Sequence, residues 1–316
     1  MKPDKSPSFP RSNAVMISQA SRAASTRAKS ILRSLLIAWL LGIAAVCYSA
    51  EEAVMTPQIA QVEPRIWSCD FKSAALSGVA MRFIVVLPAD VELRAAPLPV
   101  IYFLHGRGRH ERTLLENPLT RARVLASTCA VVLPRGRDGW YVNSPVVPAD
   151  RYADYVDEVM ALAEKSFPVS RAAKERAIGG WSMGGYGAMY TACRRPDAFA
   201  AVASIIGILD FPRPQIDEPG QNYAVPPRFG TDPKFWREVN PRLLLPRLQN
   251  VSLFVAYSDH ASERQMNEAF LADAKELKIP VEIMRLSGGH TFPMVEQSLP
   301  AAFDFLEGKI GRTSDR

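Results

Sequence analysis

The chain has 316 residues, enough for one large α/β domain or two modest ones. Its hydrophobic content of 48% and charged content of 22% are those of an ordinary soluble globular protein. Seven of the 38 basic residues and one of the 32 acidic residues lie in residues 1–50, so the net charge of +6 belongs to that leader. The neutral remainder makes no case for a nucleic-acid partner.

The leader has the layout of an export signal. A polar, basic stretch ends at Arg33, an apolar run follows from Leu35 to Val46, and small or polar residues lead through Cys47 to Ala50. The run is short of the roughly 20 apolar residues of a stable membrane span. The expectation is export, periplasmic or secreted, with residues 1–50 as the leader. The alternative is an N-terminal membrane anchor that is never cleaved. Beyond the leader the cysteines are Cys69, Cys129 and Cys193, an odd set that allows at most one internal disulfide. Cys129 and Cys193 fall in apolar surroundings and read as buried small hydrophobes.

Residues 51–64 read as an extended linker. From there short apolar runs alternate with helix-length segments. Strands are expected at Met81–Leu87, Val100–Leu104, Ala130–Leu133, Arg176–Gly179, Ala201–Ile206, Val251–Tyr257 and Val281–Leu286. Helices are expected at Leu114–Ala126, Tyr152–Phe167, Gly184–Cys193, Glu263–Leu277 and Met294–Leu306. Uninterrupted apolar strands such as Leu253-Phe254-Val255-Ala256 imply burial on both faces. The alternation implies an α/β fold with a mostly parallel central sheet and helices on both faces, spanning residues 65–310. The Pro-rich stretch Asp210–Pro246 interrupts the pattern as an excursion over one end of the sheet. Residues 311–316 form a polar tail.

Gly180-Trp181-Ser182-Met183-Gly184 carries the chemistry. It reads G-x-S-x-G between a strand and a helix, the setting of a nucleophile elbow. The pentapeptide alone arises by chance in roughly one chain in ten of this length, so the rest of the site must support it. Serine is a weak nucleophile and needs a base. Of the four histidines, His290 sits after a late strand and before the last helix, where a base would face the elbow. His105 ends a strand ahead of the serine, and His110 and His260 read as exposed loop residues. The base needs a carboxylate to hold its tautomer. Asp259 follows the strand Val251–Tyr257 and is the first choice, Asp210 the second and Glu263 the third. Ser182, Asp259, His290 is the α/β-hydrolase order. A developing oxyanion needs donors. The main-chain N–H of Met183 and that of Arg107, beside Gly106 in the His105–Gly108 loop, fit the task.

With these residues in place, the chain resembles the putative-esterase group of α/β-hydrolases, which includes esterase D (S-formylglutathione hydrolase), tributyrin and feruloyl esterases and the antigen 85 mycolyltransferases. The matching segments are Leu104-His105-Gly106, Gly139 to Pro145, Gly180 to Ala188, Phe229-Gly230 to Trp236, Asp259 and Gly288-Gly289-His290. The resemblance implies Ser182 as nucleophile, Asp259 as acid, His290 as base, and Arg107 and Met183 as oxyanion donors. It also places Gly106, Trp140 and Tyr141 near the substrate, although the two aromatics serve equally well as core residues. The expected activity is carboxylic ester hydrolysis through an acyl-Ser182 intermediate. The substrate is then a small-molecule or saccharide-linked ester. Acyl transfer of the antigen 85 type is the alternative within the enzymes, and a non-catalytic surface binding protein the alternative outside them. Neither a metal nor an organic cofactor is expected, since no H-E-x-x-H, Cys/His ligand spacing, dinucleotide or P-loop motif is present.

Overall fold

The computed structural model describes residues 57–94, 97–216 and 220–311. The expected leader and most of the tail lie outside the described residues. Nine strands form one sheet: β1 (Gln58–Glu63), β2 (Ile66–Ser73), β3 (Val79–Val86), β4 (Val100–Leu104), β5 (Ala130–Pro134), β6 (Arg176–Trp181), β7 (Ala201–Ile205), β8 (Ser252–Ser258) and β9 (Val281–Leu286). Their order across the sheet is β1-β2-β3-β5-β4-β6-β7-β8-β9. The first three neighbouring pairs are antiparallel, and from β5 onward every pair is parallel.

The helices are α1 (Thr113–Glu116), α2 (Pro118–Leu125), α3 (Tyr152–Ser166), α4 (Met183–Arg194), α5 (Pro233–Val239), α6 (Pro241–Leu244), α7 (Arg264–Glu276) and α8 (Phe292–Ile310). They cover both faces, and β4 shows why its sequence is apolar throughout. Val100, Tyr102 and Leu104 face a core layer shared with α3 and α4, whereas Ile101 and Phe103 face a second layer shared with α8. A strand whose alternate side chains both enter cores keeps no polar position.

Three expectations need correction. The single helix expected over Leu114–Ala126 is two, because Pro118 disfavours helical backbone at the residue before it. Asn117 is extended (φ −91°, ψ 128°), and its side chain accepts the Leu119 and Thr120 N–H groups to start α2. The second half of the expected linker 51–64 is β1, paired antiparallel with β2. β1 buries no face of its own; its ladder holds it, and Glu63 forms ion pairs with Arg112 and Arg121. β2 was also not anticipated. The excursion after β7 carries α5 and α6 and is anchored. Asp210, nearly buried, pairs with Arg213 and Arg242 and accepts from Asn240 Nδ2 at 3.0 Å, and Arg242 also pairs with Asp273 of α7.

Phe103 is fully buried between Phe303 of α8 (ring centroids 5.1 Å apart) and Trp181, the residue before the serine (6.2 Å). Removing its ring leaves a cavity where α8 meets the sheet. Phe103→Ala is expected to cost about 3–5 kcal/mol of stability, read as a lowered urea midpoint. A midpoint unchanged from wild type would contradict this packing.

Candidate active site

The site is built at the carboxyl ends of the parallel strands. Ser182 is the single residue between β6 and α4, with φ 53° and ψ −120°. That backbone lies outside the wells open to ordinary residues and lifts the side chain clear of the sheet. The turn is held from both sides: the Ser182 N–H donates to Ile205 O of β7 (2.9 Å), and the Tyr186 N–H donates to Ser182 O (3.0 Å). Gly184 is required here, since a Cβ on it would overlap Leu104 O of β4.

Ser182 Oγ lies 2.8 Å from His290 Nε2. His290 stands in the loop between β9 and α8, and its other nitrogen, Nδ1, lies 2.9 Å from Glu263 Oε2. The His290 side chain is partly exposed, whereas that of Glu263 is 1% exposed. A buried carboxylate is tolerated only where it has a charge or donor to face, and the imidazole edge is that partner. Serine, imidazole and carboxylate therefore form one continuous hydrogen-bonded line.

The carboxylate in that line is Glu263, the residue ranked third from sequence, and not Asp259. Ser258 is the last residue of β8 and pairs with Leu286 of β9. Asp259 extends the ladder: its N–H donates to Leu286 O (3.0 Å), and its Oδ1 accepts the Gly288 N–H (3.1 Å). Its carboxylate is turned to the backbone of the loop that carries His290, with His260 Nε2 3.5 Å away. The chain then runs four residues on to the N-cap of α7, where Glu263 faces the imidazole. Asp210 is likewise committed to its arginines.

Met183 is the first residue of α4, so its N–H has no carbonyl partner four residues back within the helix. Gly106 abuts the elbow: a Cβ there would stand 2.7 Å from Trp181 Nε1 and 3.4 Å from Ser182 Cβ. The Arg107 side chain points away to Tyr223 Oη, to which its Nη1 donates at 3.3 Å. Tyr223, on the excursion, was not singled out by sequence.

Trp140 and Tyr141 are interior groups rather than open pocket walls. Trp140 is 1% exposed and packs on Tyr186, Phe211, Tyr223 and Phe229 at centroid distances of 4.9–5.6 Å. Tyr141 is fully buried and donates its hydroxyl to His105 O at 3.1 Å. Both have positive φ, which turns consecutive large side chains inward. His110 and His260 are solvent-facing, as expected. Cys69, Cys129 and Cys193 are buried free thiols, and burial pushes each up to about 12. Among the described residues no cluster of three or more His, Cys, Asp or Glu side chains could hold a metal ion, and no helix is long and apolar enough to cross a membrane.

A mostly parallel sheet with helices on both faces and a serine on a strained strand-to-helix turn defines an α/β-hydrolase fold. The family model described as "Putative esterase" matches residues 73–289, and the chain belongs to that family. It is similar to esterase Rv1288 of Mycobacterium tuberculosis, 29% identical over 150 residues, which are 46% of this chain and 33% of that protein. The chain thus spans about a third of the length of that relative. It is also similar to mouse S-formylglutathione hydrolase, 24% identical over 238 residues, covering 66% of this chain and 81% of the mouse protein. Among solved structures it matches FphF of Staphylococcus aureus, a fluorophosphonate-binding serine hydrolase. The TM-score is 0.63 and the identity 23%, over 76% of this chain and 97% of that one.

His105 titrates abnormally because it is buried. Its ring is buried, and desolvation pushes it from 6.5 down to about 4. Between those values the unfolded chain binds a proton that the folded protein refuses, so this group makes stability fall as pH falls from about 6.5 to about 4. The contribution is about 3 kcal/mol across the window. Urea unfolding of wild type and His105→Asn from pH 7 to pH 4.5 is expected to show the steeper loss in wild type. Parallel pH profiles would contradict it.

Proposed function

We propose that the chain is a serine carboxylesterase. The observation that carries this reading is the unbroken line from Ser182 Oγ through His290 to buried Glu263 at 2.8 and 2.9 Å. His290 Nε2 takes the serine proton as Oγ attacks the ester carbonyl. The carbonyl oxygen becomes an oxyanion, received by the Met183 and Arg107 main-chain N–H groups. Glu263 holds the Nδ1–H tautomer and stabilises the imidazolium. Collapse of the intermediate breaks the ester C–O bond, and the imidazolium proton goes to the departing alkoxide. Water then attacks acyl-Ser182, giving up a proton to His290, and the second collapse returns that proton to Oγ and frees the carboxylic acid. Family membership and the esterase and hydrolase names of the relatives support this chemistry.

The site works where the leader sends it. The basic stretch and the apolar run Leu35–Val46 support export, so short acyl esters or acyl groups on saccharides fit better than a cytoplasmic glutathione thioester. Fractionation of expressing cells checks this: uncleaved protein in the cytoplasm would contradict it.

With p-nitrophenyl acetate and butyrate, Ser182→Ala is expected to abolish turnover and fluorophosphonate labelling. Activity that survives this change would end the reading. The choice of carboxylate separates cleanly. Glu263→Gln is expected to lower kcat by roughly 10³- to 10⁴-fold, as removal of a triad carboxylate does. Asp259→Asn, which keeps an acceptor for Gly288, should stay within about tenfold of wild type. The reverse ranking would return the role to Asp259.

A further inference from the structure

The mechanism leaves one buried titratable group unused beside the nucleophile. His105 follows β4, is 2% exposed, and has a defined partner on each ring nitrogen. The Gly136 main-chain N–H lies 2.7 Å from Nε2. A main-chain amide can only donate, so Nε2 carries the lone pair and the ring proton sits on Nδ1. Nδ1 is 2.8 Å from Gly106 O, so it donates there. The Arg109 N–H donates to the same carbonyl at 3.2 Å. Gly106 O is thus held by two donors, one of them a rigid aromatic ring with no freedom to rotate.

That carbonyl belongs to the Gly106–Arg107 peptide. In a planar trans peptide the C=O and the following N–H point in opposite directions. Fixing Gly106 O toward the His105 ring therefore fixes the Arg107 N–H toward the opposite side of the loop. The loop lies directly against the elbow, with the Gly106 Cα facing Trp181 and Ser182. The adjoining groups of the loop are tied to the same 136–141 segment. His105 O accepts from Tyr141 Oη (3.1 Å), and the Gly108 N–H donates to Asp138 Oδ1 (3.0 Å).

We propose that His105 is a positioning residue of the oxyanion hole, its neutral Nδ1–H tautomer pinning Gly106 O so that the Arg107 N–H is aimed at the oxyanion formed on Ser182. The inference rests on the serine-esterase reading of Ser182. The ring never touches substrate and passes no proton. Burial holds it neutral down to about pH 4, so the clamp keeps its hydrogen-bond pattern across the range in which an esterase works. It also gives Tyr141 a role other than substrate contact, as the group that holds the preceding carbonyl.

Two polar substitutions separate the two ring bonds. Asn places an amide N–H near the Nδ1 position, and Gln places its amide near Nε2. His105→Asn keeps a donor for Gly106 O and loses the bond from Gly136. His105→Gln keeps a partner for Gly136 and frees Gly106 O. With p-nitrophenyl butyrate, His105→Gln is expected to lose roughly 100-fold in kcat at nearly unchanged KM, as for a lost oxyanion donor. Its affinity for a trifluoromethyl ketone, which forms a tetrahedral oxyanion adduct on the serine, should fall in parallel. His105→Asn should retain kcat within about tenfold.

Equal activity of the two variants, or a fall in kcat with unchanged ketone affinity, would overturn the positioning role. Fluorophosphonate labelling of Ser182 in wild type shows which claim has failed. With labelling intact, only the role of His105 falls; without labelling or turnover in wild type, the esterase reading falls and this inference with it.

Discussion

The Ser182 backbone is the constraint around which the site is arranged. A non-glycine residue at φ 53°, ψ −120° costs on the order of 1–3 kcal/mol and persists only where its surroundings over-determine it. Those surroundings are three adjacent parallel strands. β6 leads into the turn, β7 accepts its N–H through Ile205 O, and β4 leaves room for Gly184 against Leu104 O. Tyr186 closes the first turn of α4 on Ser182 O. The same strand ends deliver the remaining parts: the His105–Gly108 loop from β4, Glu263 after β8 and His290 after β9. Parallel pairing puts all of these at the carboxyl ends of the strands, so the strained turn and its partners are placed by one set of ladders.

Two carboxylates restrain His290 in different ways. Asp259 completes the β8–β9 ladder and binds the backbone of the loop at Gly288, two residues before His290. Glu263, one turn of chain further on, reaches the imidazole itself. The first restrains where the loop runs, and the second restrains how the ring is turned. Separating the tasks makes geometric sense. A side chain already engaged with a main-chain N–H at the strand end is drawn toward the sheet edge, whereas one at the start of α7 can point across the gap. Burial sharpens the second task, because a carboxylate shielded from water has a stronger field at the imidazolium than an exposed one.

The readable parts of this site were those written in local chemistry. The glycines flanking Ser182, the apolar runs of β4 to β9 and the late placement of His290 are short-range signals, and the parallel core follows from them. What escaped depends on distance in space. Whether Asp259 or Glu263 meets His290 is decided by the β8–β9 register and by where α7 starts, and neither is visible in a run of acids after a strand. β1 escaped because its faces are exposed and only its backbone and Glu63 hold it. Trp140 and Tyr141 were legible as aromatics near the site, but their positive φ, which turns both inward, was not. The break at Asn117-Pro118 was present in the residues and yields to the pre-proline rule.

A division of labour follows for the wall of the site. The groups assigned to bond making stand on strand ends and the first turns of helices, where the ladders leave little play. Further groups beside these come from the excursion after β7. Its Phe211 and Phe229 pack on Trp140, its Tyr223 accepts from Arg107, and its Gln221 accepts the N–H of Gln265 at the start of α7, beside Glu263. The excursion therefore touches the His105–Gly108 loop on one side and the turn that carries Glu263 on the other, while Asp210, Arg242 and Asp273 fasten its two ends to each other and to α7. The two main-chain hydrogen bonds of Ser182 run to Ile205 and Tyr186 and neither ends on the excursion, whose Phe211 and Phe229 pack on the Tyr186 ring. The G-x-S-x-G stretch accordingly speaks to the strained turn and is silent on the groups that the excursion places beside it.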